Sequence, residues 1–297
     1  MKIQIATAPC SWGVFYADGG TSGVPYEAFL QQAAEAGYSD LELGPEGYLP
    51  EDVGLLREKL DQYGLNVCAG TATIPFGKLT ESACRTFVDK LANRLSHLKV
   101  NKMVVMDGTL YESDMQEKDH WDRQLWDHIY RSIQSVNDYL AQNFDIQMVF
   151  HPHAGTAIEY TDEIERMLEG GNVHLCFDTG HHAYSNGGTK RGDQSAIAFI
   201  RKHRQYVTYL HFKNVDGHVK EMVEQNQWPV SKAFENQVMC DLEDGIIDFC
   251  ALRDLLEEVD YNGIAVIEQD MYNKTAAYAY QTAKKNLQYL REIKMID

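Results

Sequence analysis

The amino-acid sequence predicts a (β/α)₈ TIM barrel, an α/β fold in which eight parallel strands alternate with helices. Short apolar runs alternate with amphipathic helical stretches along the chain. Eight such runs fit within 297 residues, whereas an open doubly wound sheet more often has about five or six strands and a glycine-rich first turn. The chain contains neither a GxGxxG motif nor a GxxxxGK motif. We therefore expect a single barrel domain that spans residues 1–297.

The predicted strands are short runs rich in apolar and β-branched residues. Glycines such as Gly37 and Gly64 close the preceding helices, because glycine readily adopts the left-handed conformation that follows a helix. The predicted strands are Ile3–Ala8, Asp40–Leu43, Asn66–Thr73, Lys102–Met106, Gln147–His151, Val173–Asp178, Tyr206–His211 and Gly263–Glu268.

Stretches with helical periodicity lie between these strands and after the last of them. They carry apolar residues at the three- and four-residue spacing of one helix face, which predicts helices that pack on the outside of the barrel. These stretches are residues 25–37, 50–64, 124–144, 161–170, 193–204, 249–260 and 276–294.

Charge and cysteine usage limit the partners and the compartment. With 44 acidic and 27 basic residues, the formal net charge is −17, so the surface repels nucleic acids and anionic membranes. We therefore expect a small-molecule substrate and no nucleic-acid or membrane partner, with a homo-oligomer left open. Six scattered cysteines without a CxxC pair, and no signal-peptide-like or long apolar segment, predict a cytoplasmic protein.

Polar side chains stand at the predicted carboxyl ends of several strands, the edge of a barrel at which active sites form. A lone histidine or aspartate there often only caps the following helix. Here each of the fifth to eighth strands delivers an imidazole or a carboxylate, and converging carboxylates repel one another unless a cation lies between them. When the second and fourth strands are included, the polar residues at or just after the predicted strand ends are Glu42, Asp107, His151, His153, Asp178, His181, His211, Lys213 and Glu268.

A mixed set of histidine and carboxylate ligands predicts one divalent metal ion. Such a set suits Mn²⁺, Co²⁺, Zn²⁺ or Fe²⁺ better than Ca²⁺, and we expect Mn²⁺ or Co²⁺ first. Two carboxylates neutralise the charge of the ion, and its remaining coordination positions are free for substrate oxygens.

Several segments resemble the xylose isomerase-like TIM barrels, a superfamily that includes sugar epimerases, endonuclease IV and inosose dehydratases. The segments that carry the wider resemblance are CFDTGHH at 176–182, YLHFKNV at 209–215 and VIEQD at 266–270. The segments that look like the inosose dehydratases are APCSWGVF at 8–15, LELGPEGYLP at 41–50, HPHAGTAIE at 151–159 and DGIIDF at 244–249. The resemblance covers nearly the whole chain.

The resemblance implies that Asp178, His211 and Glu268 bind the metal, with His151 as the fourth ligand. In the wider family a glutamate commonly stands at position 151, where it is both a ligand and one half of a two-carboxylate acid/base pair. An imidazole that holds the metal cannot do the same proton transfer, so the histidine favours dehydration over epimerisation. Because alternate residues of a strand face the same side, His153 is the alternative ligand.

The reaction that the resemblance implies is the loss of water from 2-keto-myo-inositol, or a close polyhydroxy-ketone, through an enediolate, as in inositol catabolism. The metal ion would stabilise the enediolate. His153 and His181 are the candidate acid and base. Lys213 would stabilise developing negative charge, and Glu42 would accept hydrogen bonds from substrate hydroxyls.

Three other functions are compatible with parts of the sequence. A divalent-metal-dependent ketose isomerase or epimerase shares the enediolate and differs only in its product. A DNA-repair endonuclease shares the DxxH motif of residues 178–181, but it needs a basic groove that the charge of −17 disfavours. A barrel that only binds polyols would not need the ligand set.

Four residues near the predicted rim allow more than one interpretation, and Lys213 is one of them. Trp12 and Phe15 either plug the barrel mouth or stack on a sugar face. Lys213 could pair only with Glu42 or another acidic residue. Cys10 has no predicted base beside it, so a nucleophilic thiol is the less favoured interpretation.

Overall fold

A computed structural model describes residues 1–18, 23–110, 118 and 120–296. The strands are β1 (Lys2–Thr7), β2 (Asp40–Glu42), β3 (Asn66–Ile74), β4 (Lys102–Asp107), β5 (Gln147–Phe150), β6 (His174–Asp178), β7 (Val207–Phe212), β8 (Asn214–Val215), β9 (Met239–Cys240) and β10 (Asn262–Ile267). Within the described residues eight of them are parallel and close into a barrel, in the order β1-β10-β7-β6-β5-β4-β3-β2, while β8 and β9 form a small antiparallel pair outside it. The (β/α)₈ prediction is confirmed.

Each predicted strand is present, and no predicted end differs from the observed one by more than one residue. The helices are α1 (Tyr26–Ala36), α2 (Val53–Tyr63), α3 (Glu81–Phe87), α4 (Asp89–Leu98), α5 (Arg123–Phe144), α6 (Thr161–Leu168), α7 (Thr179–Asn186), α8 (Ser195–His203), α9 (Gly217–Asn226), α10 (Val230–Glu235), α11 (Phe249–Glu258) and α12 (Ala276–Glu292). The seven predicted helices are all present, as α1, α2, α5, α6, α8, α11 and α12.

Local sequence explains where these helices begin and end. The side chains of Asp52 and Asp122 accept hydrogen bonds from the third backbone amide of α2 and α5, which is the usual N-cap interaction. Gly37 and Gly64 follow α1 and α2 with φ angles of 104° and 67°, as predicted for left-handed C-terminal residues. In the described part of the chain, no helix combines the length and apolarity needed to cross a membrane.

The interior of the barrel is filled mainly by small side chains, with one large exception. The largest group there is the ring of Tyr209, which is fully buried. Larger aliphatic and aromatic side chains pack between the strands and the surrounding helices, the usual division of core in this fold. The inner cluster consists of Ala6, Ala8, Cys68, Ala69, Val104, Val149, Cys176, Tyr209, Ile264 and Val266.

Strand register brings the polar strand ends to one level. Asp178 and His211 are direct partners across β6 and β7. Glu268 follows β10 and its backbone amide donates to the carbonyl of Phe212 at the end of β7. His151 follows β5 and donates in the same way to the carbonyl of Val105 in β4. Four neighbouring strands therefore present ionisable side chains at the same edge of the barrel.

Candidate metal centre

Four buried side chains converge at the carboxyl ends of β5, β6, β7 and β10. One nitrogen or oxygen from each residue lies within 4.8 Å of those of the other three. The four residues are His151, Asp178, His211 and Glu268. The structure thus brings together the four residues that the family resemblance implies as ligands.

The segment 176–182 turns directly from strand into helix at Asp178. This residue is the N-cap of α7, and its Oδ1 accepts a hydrogen bond of 2.8 Å from the backbone amide of His181. The sequence predicted a strand end here but no helix. Because Oδ1 is held by the backbone, the other oxygen, Oδ2, is directed into the cluster.

Buried polar atoms without a well-formed hydrogen bond indicate that the cluster fits a cation. They are His151 Nδ1, Asp178 Oδ2 and His211 Nδ1, and the last two have only ion-pair contacts, at 3.1 Å to Lys213 Nζ and at 3.1 Å to Glu268 Oε2. A buried polar group that makes no hydrogen bond costs about 1–3 kcal/mol, which a divalent ion between these atoms would reduce. Two imidazoles and two carboxylates are a donor set that first-row divalent ions prefer over Ca²⁺. The residues present therefore fit one divalent metal ion.

Glu42, at the end of β2, holds His211 in place. Its Oε1 accepts hydrogen bonds from the Tyr209 hydroxyl at 2.8 Å and from His211 Nε2 at 3.0 Å, and its Oε2 accepts from Thr71 at 3.3 Å. Since a carboxylate only accepts, His211 donates to Glu42 from Nε2, and Nδ1 is the ring nitrogen that faces the cluster. Nδ1 lies 3.1 Å from Glu268 Oε2. A carboxylate behind a histidine is the arrangement that orients metal-binding imidazoles.

Lys213 is a fully buried cation beside the cluster. Its Nζ lies 2.8 Å from Asp270 Oδ2 and 3.1 Å from both Asp178 Oδ2 and Glu268 Oε2. Burial alone would lower the pKa of this lysine, but the surrounding carboxylates raise it well above its usual value. Nζ also donates to Nε2 of His181 at 3.0 Å. The predicted oxyanion-stabilising residue is therefore charged and in contact with a predicted acid/base residue.

Both histidines of the segment HPH reach the site, but in different positions. His151 belongs to the four-residue cluster, whereas His153 lies against His181, with 3.7 Å between the ring centroids. Burial, and next the neighbouring His181, lower the pKa of His153 to about 3. Burial, and next His211, also lower the pKa of His151 well below its usual value. Both imidazoles are therefore neutral at neutral pH, as metal ligands and general bases must be.

Two residues of the site, Asp270 and Tyr209, were not predicted from the sequence. Asp270 lies three residues beyond the end of β10, so the strand-end rule did not select it, although the quoted segment VIEQD includes it. Tyr209 precedes His211 by two residues, and the alternation of side chains along a strand would have placed both inside the barrel. Asp270 accepts a hydrogen bond from Lys213, and the Tyr209 hydroxyl donates one to Glu42.

Both side-chain oxygens of Asp107, the last residue of β4, accept hydrogen bonds from other parts of the chain. Its Oδ1 accepts from the Thr109 hydroxyl at 2.6 Å, and its Oδ2 accepts from the backbone amides of Thr109 and Ala157 at 3.0 and 3.2 Å. Asp107 thus ties the end of β4 to the loop after β5. This is the structural role that a lone strand-end aspartate often has.

A cavity of about 1,110 Å³ opens from the cluster, and aromatic rings line one of its walls. Phe15 stacks on Tyr272 with 4.6 Å between centroids, and Phe234 lies 6.1 Å from the same ring. Trp12, in contrast, is buried against Phe29 and donates its indole N–H to Gln32. Of the two predicted rim aromatics, only Phe15 can therefore contact a substrate.

Cys10 also lines the cavity, close to the carboxylates of Glu268 and Asp270. Burial, and next the charge of Glu268, raise the pKa of its thiol well above the usual value. Since a thiolate is the reactive form of cysteine, this environment disfavours a nucleophilic thiol.

Comparison with known proteins gives matches over almost the whole chain. Residues 30–293 match the family described as "Xylose isomerase-like TIM barrel". The chain is 27% identical to inosose dehydratase of Geobacillus kaustophilus (strain HTA426), over 97% of this chain and 94% of that relative. It is 26% identical to inosose dehydratase of Serratia proteamaculans (strain 568), over 98% of this chain and 97% of that relative.

Among solved structures, the IOLI protein with a bound zinc atom has the same fold. It superposes with a TM-score of 0.70 at 15% identity, over 99% of this chain and 100% of that chain. At this level of identity the likeness concerns the barrel architecture.

Proposed function

Since the chain belongs to the xylose isomerase-like TIM barrel family, we propose that it is a hydro-lyase that removes water from 2-keto-myo-inositol, an inosose, or from a close polyhydroxy-ketone. Relatives named inosose dehydratase align with nearly its full length. The product of this reaction is a diketone formed through its enol. This reaction would belong to inositol catabolism.

The observation that carries the proposal is the way in which the carboxylates of the site are used. Asp178 and Glu268 belong to the cluster, Glu42 is bonded to His211, and Asp270 is bonded to Lys213. These carboxylates therefore have partners already. The groups best placed to exchange protons with a ligand in the cavity are imidazoles, which supports dehydration over the two-carboxylate route of an epimerase.

We propose that one Mn²⁺ or Co²⁺ ion is held by His151, Asp178, His211 and Glu268. A divalent ion in this position would polarise the substrate ketone and a neighbouring hydroxyl, which lowers the pKa of the intervening C–H. The buried atoms Asp178 Oδ2, His151 Nδ1 and His211 Nδ1, which make no well-formed hydrogen bond, support this ligand set.

The acid and base are then His153 and His181. One imidazole takes the proton from the carbon beside the ketone, and the other donates a proton to the departing β-hydroxyl, so that the substrate loses H⁺ and HO⁻ as one water. His153 lines the cavity, and the ring of His181 packs behind it with 3.7 Å between the ring centroids, which supports placing the two imidazoles at the same end of the ligand. Lys213 lies 3.0 Å from His181, and its fixed charge stabilises negative charge that develops on the substrate oxygens.

For Glu42 we propose an indirect role. The predicted role of Glu42 was to accept hydrogen bonds from substrate hydroxyls, but Tyr209, His211 and Thr71 already donate to its two oxygens. Its contribution is to orient His211 and to increase the basicity of that ligand.

The cysteines support a cytoplasmic location. All six are free thiols in the structure, and unpaired cysteines are typical of a reducing compartment. The acidic charge of −17 supports a small neutral or cationic ligand rather than a nucleic acid.

The decisive experiment is product analysis in D₂O with Mn²⁺- or Co²⁺-loaded protein and a panel of inososes and ketoses. A dehydratase yields a product lighter by one water. An epimerase or isomerase returns a compound of the substrate's composition that carries solvent deuterium at the altered carbon. If that compound is the main product, the dehydratase proposal is wrong and the alternative function, ketose isomerisation or epimerisation, replaces it.

A further inference from the structure

We propose that Thr73, near the end of β3, determines substrate specificity, because its hydroxyl binds the substrate hydroxyl on the ring carbon opposite the reacting ketone. This inference rests on the function proposed above and deepens it. It restricts the substrate class to six-membered polyhydroxy-ketones that carry a hydroxyl at that carbon.

The position of β3 in the barrel places Thr73 across the cavity from the candidate metal centre. In the closed order of the strands, β3 is the fourth strand from β7 in either direction, so the two strands face each other across the barrel. His211 is on β7, and both it and Thr73 line the cavity. A ligand that contacts the cluster on one side therefore has β3 on its other side.

Strand register places Thr73 at the level of the cluster. Thr73 pairs with Met106 in β4. The residue before Met106, Val105, pairs with Phe150 in β5. Because the residues of neighbouring parallel strands advance in step, the next pair along this register is Met106 and His151. Thr73 and the ligand residue His151 therefore stand at the same height in the barrel.

The residues below Thr73 are already bonded to one another. Thr71, two positions earlier on β3, faces the same side of the strand and donates to Oε2 of Glu42 at 3.3 Å. Glu42 in turn accepts from His211, and these three residues line the bottom of the cavity. Thr73 is the next residue of β3 on that face toward the cavity mouth, where a ligand that rests on this layer meets it.

The hydroxyl of Thr73 is available for such a ligand. Its methyl carbon Cγ2 packs against Gly108, just after β4, and a Cβ atom added to Gly108 would lie only 2.9 Å from it. Since a β-branched side chain has a restricted χ1 angle, this packing limits the direction of the hydroxyl. Among the described residues, the Thr73 hydroxyl makes no hydrogen bond, in contrast to that of Thr71.

The cavity wall beside Thr73 is apolar. Met106 and Leu110 line the same cavity, and their side chains offer no strong hydrogen bond. A substrate hydroxyl placed against this wall loses its contacts with water, which is costly unless a protein group replaces them. The Thr73 hydroxyl can both donate and accept, so it can replace them. A site of this kind discriminates against an analogue that lacks the hydroxyl.

The shape of a six-membered ring connects these observations to the substrate. When the ketone and a neighbouring hydroxyl contact the cluster, the carbon opposite the ketone is the ring atom farthest from the ketone and points across the cavity. The ring holds the hydroxyl on that carbon in a fixed direction. An open-chain ketose must lose conformational freedom to place a hydroxyl there.

Paired substrates test this contact: 2-keto-myo-inositol and its analogue without the hydroxyl opposite the ketone, each with the wild type and with Thr73→Val. Valine replaces the hydroxyl by a methyl group of similar size. We expect kcat/KM for the complete ketone to fall roughly 3- to 10-fold, the net worth of one hydrogen bond, and kcat/KM for the analogue to stay within about 2-fold. An equal loss with both ketones, or no loss with either, would overturn the proposal.

Two further variants separate the contact from an effect on folding. Thr73→Ser keeps the hydroxyl and should keep the preference for the complete ketone. Thr208→Val makes the same chemical change on β7, at a buried hydroxyl that also has no hydrogen-bond partner. Thr208 precedes the inward-facing Tyr209 and so faces the surrounding helices, and its substitution should leave the preference unchanged. Loss of the preference in either variant would contradict the assignment.

Binding measured without turnover distinguishes a failure of this inference from a failure of the proposed function. Isothermal titration of both ketones into Mn²⁺-loaded His153→Gln protein, in which turnover should be slow, gives their Kd values with and without Thr73→Val. With Thr73 present, the complete ketone should bind roughly 3- to 10-fold more tightly than the analogue, and with Thr73→Val the two should bind equally.

The outcomes of this titration separate the two proposals. Equal binding of the two ketones in the presence of Thr73 would overturn the contact alone. If neither ketone binds, the proposed function fails and the contact fails with it. If product analysis shows isomerisation instead of dehydration, the comparison of Kd values still decides whether Thr73 makes the contact.

Discussion

Asp107 and Asp178 occupy equivalent places, the last residues of β4 and β6, yet they have opposite environments. Both oxygens of Asp107 accept hydrogen bonds from Thr109 and Ala157. Asp178 uses only Oδ1 in this way, and its buried Oδ2 accepts no backbone hydrogen bond and has Lys213 Nζ at 3.1 Å. A strand-end carboxylate is therefore structural when the neighbouring loops bond both of its oxygens, and is available for a metal ion when one oxygen is left to face other charged groups.

The sharpest test of this contrast is Asp178→Asn. Asparagine is as good an N-cap as aspartate, so α7 should persist, but the negative charge directed into the cluster is lost. We expect metal affinity to fall by more than about 100-fold, the upper limit for residues outside the ligand shell, and turnover to fall to background. Mass spectrometry measures the metal content, and circular dichroism shows whether the helices persist. Tight metal binding by the folded variant would exclude Asp178 as a ligand.

The next largest effect concerns proton transfer. His153→Gln and His181→Gln should each lower turnover by roughly 10²- to 10⁴-fold, the usual worth of a positioned acid or base. Because neither residue belongs to the four-residue cluster, Mn²⁺ should stay bound. Steady-state kinetics at saturating Mn²⁺, with metal content measured in parallel, gives the result. Normal turnover in both variants would remove them from the mechanism.

A smaller effect is expected from Glu42→Gln, because Glu42 acts through His211. The amide lacks the charge that increases the basicity of the imidazole, so metal affinity should weaken by about 10- to 100-fold. Thr71→Val is the matched control: it removes a donor to the other oxygen of Glu42 without touching His211. Competition with a chelator measures both variants. Equal losses in the two would mean that the effect is structural.

The smallest effect on function should come from Asp107→Asn. An amide cannot accept all three of the hydrogen bonds that Asp107 accepts, so the free energy of unfolding should fall by about 1–3 kcal/mol. Metal content and turnover should stay near the wild-type values. Urea unfolding and an activity assay check this pair of outcomes. Loss of metal from the folded variant would erase the distinction between the two aspartates.

The fold was predictable because its signal is local. Each barrel strand is a short apolar run, and each of the seven predicted helices carries its own periodicity. The polar strand ends were predictable for a related reason: parallel strands bring all their carboxyl ends to one rim. Residues such as His211 and Glu268 could therefore be selected without knowledge of their contacts.

The parts that escaped prediction depend on closure of the barrel. Glu42 and His211 are separated by 169 positions, and nothing in either segment shows that β2 and β7 approach each other across the barrel. Asp270 lies beyond its strand, so only the folded loop brings it to Lys213. Helix α7 was missed because its eight residues contain glycine, serine and histidine, which do not form an apolar stripe.

The double use of Asp178 has a consequence for how this barrel can diverge. One of its oxygens starts a helix and the other is directed at the metal position, so a glutamate, longer by one methylene, cannot satisfy both demands. His151 has no such second duty, since its Nδ1 has no hydrogen-bond partner. Evolutionary change of the ligand set should therefore be tolerated first at position 151, and a barrel that keeps its scaffold can acquire a different chemistry by a single replacement there.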